Sequence, residues 1–466
     1  GELSKNEHSQ LCQLRSTLCE RFVLSFKALD ESDPLQTKYC LFFSLALSML
    51  ARDYRTGVAG TRDLIKCAGY AQQCINGEKK LNIPKADGYL QVALCLNARM
   101  EDMLNVTDTK MNGTLPFSSQ LADAVREAVR DYHEGSMYKR DEAVRTFRRN
   151  LFPRWKPGLG NVLACCDIFQ IILEAAYEKY VSAANQNNQN YQEIARLGYV
   201  SKAYLVLAAI GTSGGALNLL AQMLINQANQ YEADQRISFF RRHPDIDTFV
   251  QQHAAPYGWP LNDNYALAYR VLQSVCGIQR GSQPYSHMKK AELVLKGYVS
   301  ESSSTQLTSL NIAINGGLAM GHYWKGRLLL EQAKQDHDRC NDYKDAAIAS
   351  FCATNVTERF DHLPENADED AAPQLSPPQW LSAIELLRYP DRAVFRVDRR
   401  MVFQTIYQKL TQQVEEVQSD NIQIHNERYR LTKKDVRSNL ERCLDMVKAQ
   451  FPDKEPLIQK MIRSIR

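Results

Sequence analysis

The chain has 466 residues, more than a single compact core organises, which points to several domains or to an elongated repeat array. Hydrophobic residues make up 44% and charged residues 24%, with 22 Gly and 16 Pro, so wholesale disorder and collagen-like or mucin-like compositions are excluded. A net charge of +4 is too weak a field to mark a dedicated nucleic-acid binder.

Apolar residues recur at three- and four-residue spacing along most of the chain, without the alternation that strands require. The pattern predicts helices over 7–29, 34–54, 61–74, 85–104, 118–149 and 161–184. Further helices are predicted over 195–210, 215–231, 263–275, 287–299, 304–333 and 341–353. The most apolar run, 39–51 (YCLFFSLALSMLA), lies between Lys38 and Arg52. It falls short of the ~20 residues that cross a bilayer and reads as a buried core helix. Short polar or Gly/Pro breaks join consecutive helices, which makes them antiparallel neighbours. The expected fold class is therefore all-α: stacked antiparallel helix pairs, in an α-solenoid-like array or an irregular bundle, plus a small C-terminal helical module.

Composition shifts suggest four stretches. Residues 1–110 form an N-terminal helical subdomain and 117–360 a helical, repeat-like body. The acidic, Pro-containing segment 361–379 reads as a linker, with Asp361, Glu365, Asp368, Glu369 and Asp370 in its first ten residues. Residues 380–466 read as a small basic module in which Lys and Arg outnumber Asp and Glu. Within it, 393–397 and 401–403 suit a small hairpin through Asp398, Arg399 and Arg400; a continuous helix over 400–417 is the alternative.

Three places carry a small residue followed by an aromatic: Ala68-Gly69-Tyr70, Leu197-Gly198-Tyr199 and Met320-Gly321-His322-Tyr323. After the third come Gly326, Ala346, Ala347, Phe351 and Ala353. A small residue where two helices cross, with an aromatic one turn later, is what close helix-pair packing needs. On Ala319, Gly321, Tyr323, Gly326, Ala346 and Ala353, the stretch 318–353 resembles a tetratricopeptide or Sel1-type helical repeat unit. That resemblance implies binding of a protein or peptide along a concave helical face.

The sharpest local feature is RTFRRNLFPRWKPGLGN, residues 145–161. No acidic residue occurs from 143 to 166, and Arg145, Arg148, Arg149, Arg154 and Lys156 are all positive. Gly158 and Gly160 open the next predicted helix, whose unpaired N–H groups, together with the Arg forks and the Trp155 face, suit a phosphate-bearing ligand. Arg148, Arg149, Arg154, Trp155, Lys156, Gly158 and Gly160 are thus the candidate anion-binding residues. A solvated basic loop, with Trp155 filling a gap, is the competing reading.

Other motifs read as structural. Gly211-Thr-Ser-Gly-Gly215 has a helix, not a strand, before Ser213, so Ser213 reads as a helix N-cap rather than a nucleophile. His243, Asp245 and Asp247 lack a second ligand cluster and read as a helix start. Cys165 and Cys166, with His133, His253 or His287 as a base, form no recognisable signature. The twelve Cys are scattered, mostly between apolar neighbours, and no C-x-x-C occurs, which reads as unbridged thiols in a reducing compartment. No catalytic residue, metal ligand or cofactor is assigned.

These readings favour a soluble protein–protein interaction or adaptor protein. One alternative is an anion-dependent binder of phosphoinositide membrane or RNA through 145–160 and the basic tail. A second is a helical enzyme, resembling injected bacterial effectors, that modifies a protein client. The expected location is cytoplasmic, or the host cytosol for an effector.

Overall fold

The computed structural model describes residues 5–58, 60–81, 87–104, 120, 122–123, 180–186, 189–210, 213–233, 264–278, 284–361, 373–391, 395–418 and 433–465. Among them the regular structure is all helical, with no strand. The chain divides into two compact units: 1–219 with 248–259, and 220–247 with 260–466. This division falls at none of the expected boundaries, 110, 117 or 361–379.

The first unit carries α1 (Lys5–Lys27), α2 (Pro34–Thr56), α3 (Leu64–Leu81), α4 (Asp87–Leu104) and α5 (Gln189–Ile210). Helix α6 (Gly214–Ala233) begins in it. Each of α1 to α4 packs on the next. Local chemistry sets the ends of α2. Asp33 caps the start, accepting from Leu35 N–H at 2.8 Å ahead of Pro34, and Gly57 closes the end at φ +74°. Between α1, α2 and α3 the core is Val23, Phe26, Phe43, Ala46, Leu47, Leu50 and Cys74, with the Phe26 and Phe43 rings stacked at 4.3 Å. Across α4 and α5, the Ser201 hydroxyl donates to the Ala93 carbonyl at 2.9 Å.

The second unit carries α7 (Asn264–Ile278), α8 (Pro284–Leu295), α9 (Ser303–Asn315), α10 (Ala319–Gln335), α11 (Cys340–Cys352) and α12 (Val356–Asp361). It continues with α13 (Pro377–Leu387), α14 (Arg399–Gln418), α15 (Lys433–Gln450), a short 3-10 turn (Pro452–Lys454) and α16 (Glu455–Ser464). The single helix expected over 304–333 is two helices. Gly317 sits at φ +82°, its N–H donates to Ile314 O at 2.8 Å, and Leu318 N–H donates to Ala313 O at 3.1 Å. That pair of bonds is the Schellman stop, which a glycine adopts without a Cβ penalty. Helices α10 and α11 then form the hairpin expected from Gly326 and Phe351.

The glycines differ in what they do. A Cβ on Gly326 would lie 2.5 Å from the Phe351 ring, and one on Gly321 would lie 3.0 Å from Ile314. One on Gly198 would meet Met100 at 3.4 Å, whereas Gly69 faces open space. Three of these small residues mark crossings and Gly69 does not.

The C-terminal helices share the core of the preceding ones. Trp324, Leu328, Phe351 and Phe360 are buried in one cluster with Trp380, Leu386, Phe403, Ile406, Leu440, Met446 and Ile458. The segment 361–379 therefore does not separate two cores, and its last residues, Pro377 to Gln379, already form the first turn of α13. The hairpin expected at 393–403 is corrected as well. Residues 395–398 carry no strand, Asp398 accepts from Arg400 N–H at 2.9 Å, and α14 begins at Arg399. Val402, Ile406, Leu410 and Val414 recur every fourth residue and are all buried. That long helical period outweighs three residues of alternation.

Candidate functional site

Arg148, Arg149, Arg154, Trp155, Lys156, Gly158 and Gly160 lie outside the described residues, as do Cys165, Cys166, His243, Asp245 and Asp247. Ser213 is described, and it caps α6: its hydroxyl accepts from Ala216 N–H at 3.4 Å and donates to Asp87 at 3.3 Å. His287 lies on α8 with its Nδ1 3.3 Å from the Ser309 hydroxyl; burial, then the charge of Lys290, lowers its pKa.

The largest feature that sequence reasoning missed is on the N-terminal hairpin. Leu11, Leu14 and Leu18 of α1 and Leu35, Leu41, Phe42 and Leu45 of α2 expose between 43% and 59% of their surface. The run at 39–51 is thus buried on one side only, which corrects its reading as a core helix. The partners of α1 and α2 fix the direction of the exposed side. On α1, Glu20 accepts from the Tyr70 hydroxyl at 3.3 Å and Lys27 donates to Gln73 at 2.5 Å, both on α3. On α2, Ser44 meets Cys74 and Tyr54 stacks on Tyr70 at 5.6 Å, again on α3. At 3.6 residues per turn Leu11, Leu14 and Leu18 of α1 and Leu35, Phe42 and Leu45 of α2 point away from α3, whereas Leu41 lies beside Ser44 and Leu24 of α1, 68% exposed, lies nearer the side of Glu20 and Lys27.

Large apolar side chains exposed singly are usual on a protein surface, but seven half-exposed ones on a single helical hairpin are not. An ion pair between buried Asp53 and partly exposed Arg15 ties α1 to α2 across the seam. Asp53 is 1% exposed and accepts from Arg15 at 2.6 Å and from the Ser16 hydroxyl at 2.8 Å. Exposed Glu7, Arg21, Lys38 and Arg52 rim the face.

Two charged clusters in the second unit are internal stitches. On α8, Glu292 pairs with Lys289 at 2.8 Å and Lys296 at 2.9 Å, and Lys296 reaches Asp435 of α15 at 2.7 Å. Burial works to raise the Glu292 pKa, but the two ammonium groups outweigh it and hold it at about 2. Glu385 of α13 is 1% exposed, with Arg388 at 3.1 Å, Arg327 of α10 at 3.6 Å and Arg442 of α15 at 3.9 Å. The carboxylate is the counter-charge that lets three helices bring guanidinium groups together.

A third buried group, Glu78 of α3, accepts from the Ser44 hydroxyl and Asp87 N–H at 3.1 Å each and from Gly88 N–H at 3.3 Å. It caps the start of α4 from a neighbouring helix. Burial and then the nearby Asp87 charge push its pKa up to about 8, so it keeps its proton at neutral pH. Facing a helix end inside the fold, it holds α4 in place.

Among the described residues, no three His, Cys, Asp or Glu side chains are grouped so as to hold a metal ion. No helix among them is long and apolar enough to cross a membrane. Comparison of the chain with protein-family models, with curated proteins and with solved structures returned no match.

Proposed function

We propose that this chain acts by docking protein on its helical surface, as an interaction or adaptor protein. The observation that carries the reading is the rimmed apolar surface of α1 and α2, where seven large side chains stay in water although the core beneath them is filled. Exposed apolar area of this extent costs free energy in the isolated chain, and it is offset when a partner covers it. The internal placement of Glu78, Glu292 and Glu385 supports the same reading, because each is engaged in holding helices together.

The test is a photo-reactive residue placed at Leu18 or Phe42 in the full chain. Protein adducts are expected from both positions and lost when Leu14→Glu and Phe42→Glu are added, with helical circular dichroism unchanged. Adducts confined to lipid, or none at all, would overturn the reading.

A further inference from the structure

Independently of what docks on α1 and α2, we infer that the second unit holds a site for a phosphate-type oxyanion, clamped by Arg327 of α10 and by Arg388, the residue that follows α13. Two observations carry it: three guanidinium groups share one buried carboxylate, and two of the three keep an unused edge turned to water.

The three arginines are engaged unequally. Arg442 is satisfied within the fold: its Nε donates to the Ser438 carbonyl at 3.3 Å, its Nη2 to Asn439 at 2.7 Å and its Nη1 to the Tyr323 hydroxyl. Arg327 makes one hydrogen bond, from Nη1 to the same hydroxyl at 3.4 Å. Arg388 also makes one, from Nη1 to Glu385 at 3.1 Å. Nε and Nη2 of Arg327 and of Arg388 have no hydrogen-bond partner among the described residues, and these nitrogens keep contact with solvent. The two side chains are 22% and 34% exposed, above a carboxylate that is 1% exposed. The Nε–Nη2 edge is the one with which a guanidinium grips two oxygens of a phosphate side by side.

Charge names the ligand class. Arg327, Arg388 and Arg442 set three positive charges against the single charge of Glu385, a surplus of two. The charge of Glu331 also acts on Arg327, but Glu331 is paired with Lys334 at 2.8 Å. At 3.6 Å the Arg327–Glu385 contact is too long for a hydrogen bond, and Glu385 Oε1 accepts none. A partly buried surplus of this kind is unfavourable until a counter-charge joins it. A phosphate group at neutral pH carries about −1.5 to −2 and supplies several acceptor oxygens, which matches both the surplus and the two open edges. One carboxylate would leave a positive charge over.

Phenylglyoxal labelling of the full chain, resolved by peptide mass spectrometry, tests the inference. Inorganic phosphate and phenyl phosphate, each at about 5 mM, are compared with chloride at equal ionic strength. For a Kd of about 1 mM, Arg327 and Arg388 should label about sixfold more slowly with ligand, while exposed Arg437 of α15 keeps its rate. Protection by phenyl phosphate alone assigns the site to a phosphate ester, and protection by both extends it to the free ion. Arg388→Gln leaves Glu385 with Arg327 and Arg442, so the fold is kept, and it should abolish protection at Arg327. Glu385→Gln, which removes the competing charge, should tighten phosphate several-fold. Equal labelling in phosphate and chloride, equal slowing at Arg437, or protection that survives Arg388→Gln would overturn the inference. Protection seen in Glu385→Gln but not in the unaltered chain would also sink it, by making Glu385 the one anion these arginines hold.

Discussion

Gly326→Ala sets two physical effects against each other, and the structure decides the sign. Helix α10 gains about 1 kcal/mol from the change, because alanine is the better helix former. The new Cβ, however, would lie 2.5, 2.7 and 2.8 Å from three atoms of the Phe351 ring. Phe351 is fully buried in the core, so the ring has no solvent to move into. Overpacking a filled core costs about 1–3 kcal/mol, so a net loss of up to about 2 kcal/mol is expected. Trp324 and Trp380 are buried in the same cluster, and their fluorescence in a urea titration reads it directly. Adding Phe351→Leu should recover part of the loss, a non-additivity that independent sites do not show. The control is Gly69→Ala on α3, where no atom lies within 4 Å of the added Cβ and the residue is exposed. There the same substitution should stabilise by about 1 kcal/mol, read as slower labelling of the buried Cys67 and Cys74 thiols. If Gly326→Ala also stabilised, α10 and α11 would not approach as closely as described.

Asp53→Ala should cost about 1–2 kcal/mol by removing the acceptor that Arg15 and the buried Ser16 hydroxyl share on α2, and limited proteolysis should then cut α1 first. Two buried glutamates should give the units opposite pH responses. Glu78, with its pKa raised to about 8, stabilises the first unit fully below its ordinary 4.5; this is lost as pH rises to 8, at about 1.4 kcal/mol per unit. Glu78→Gln should flatten that slope, as measured by thiol labelling at pH 5 to 8. Glu292, held at about 2, stabilises the second unit above 4.5, and this is lost as pH falls towards 2, which tryptophan fluorescence during acid titration should detect. Gly317→Ala should cost about 1 kcal/mol, because φ +82° suits only a residue without a Cβ; an unchanged urea midpoint would refute the role of that stop.

The fold class was legible because helical periodicity is a local property. Val402, Ile406, Leu410 and Val414 announce the buried side of α14 from spacing alone, and Ser213 reads as a cap from the residues beside it. Other features depended on what the rest of the chain covers. The run 39–51 is apolar all round, and nothing in its sequence says that α1, α3 and α4 cover only part of its circumference. Gly69, Gly198 and Gly321 look alike in their local contexts, yet only packing separates open space from a helix crossing. The same holds for Glu78 and Glu385, each of which looks like an ordinary surface residue of a helix until distant backbone amides or guanidinium groups surround it. Periodicity fixes which segments coil and where they stop. Burial, and with it the exposed face and the shifted carboxyls, is a property of the assembled helices, since each side chain's surroundings come from residues far away in sequence.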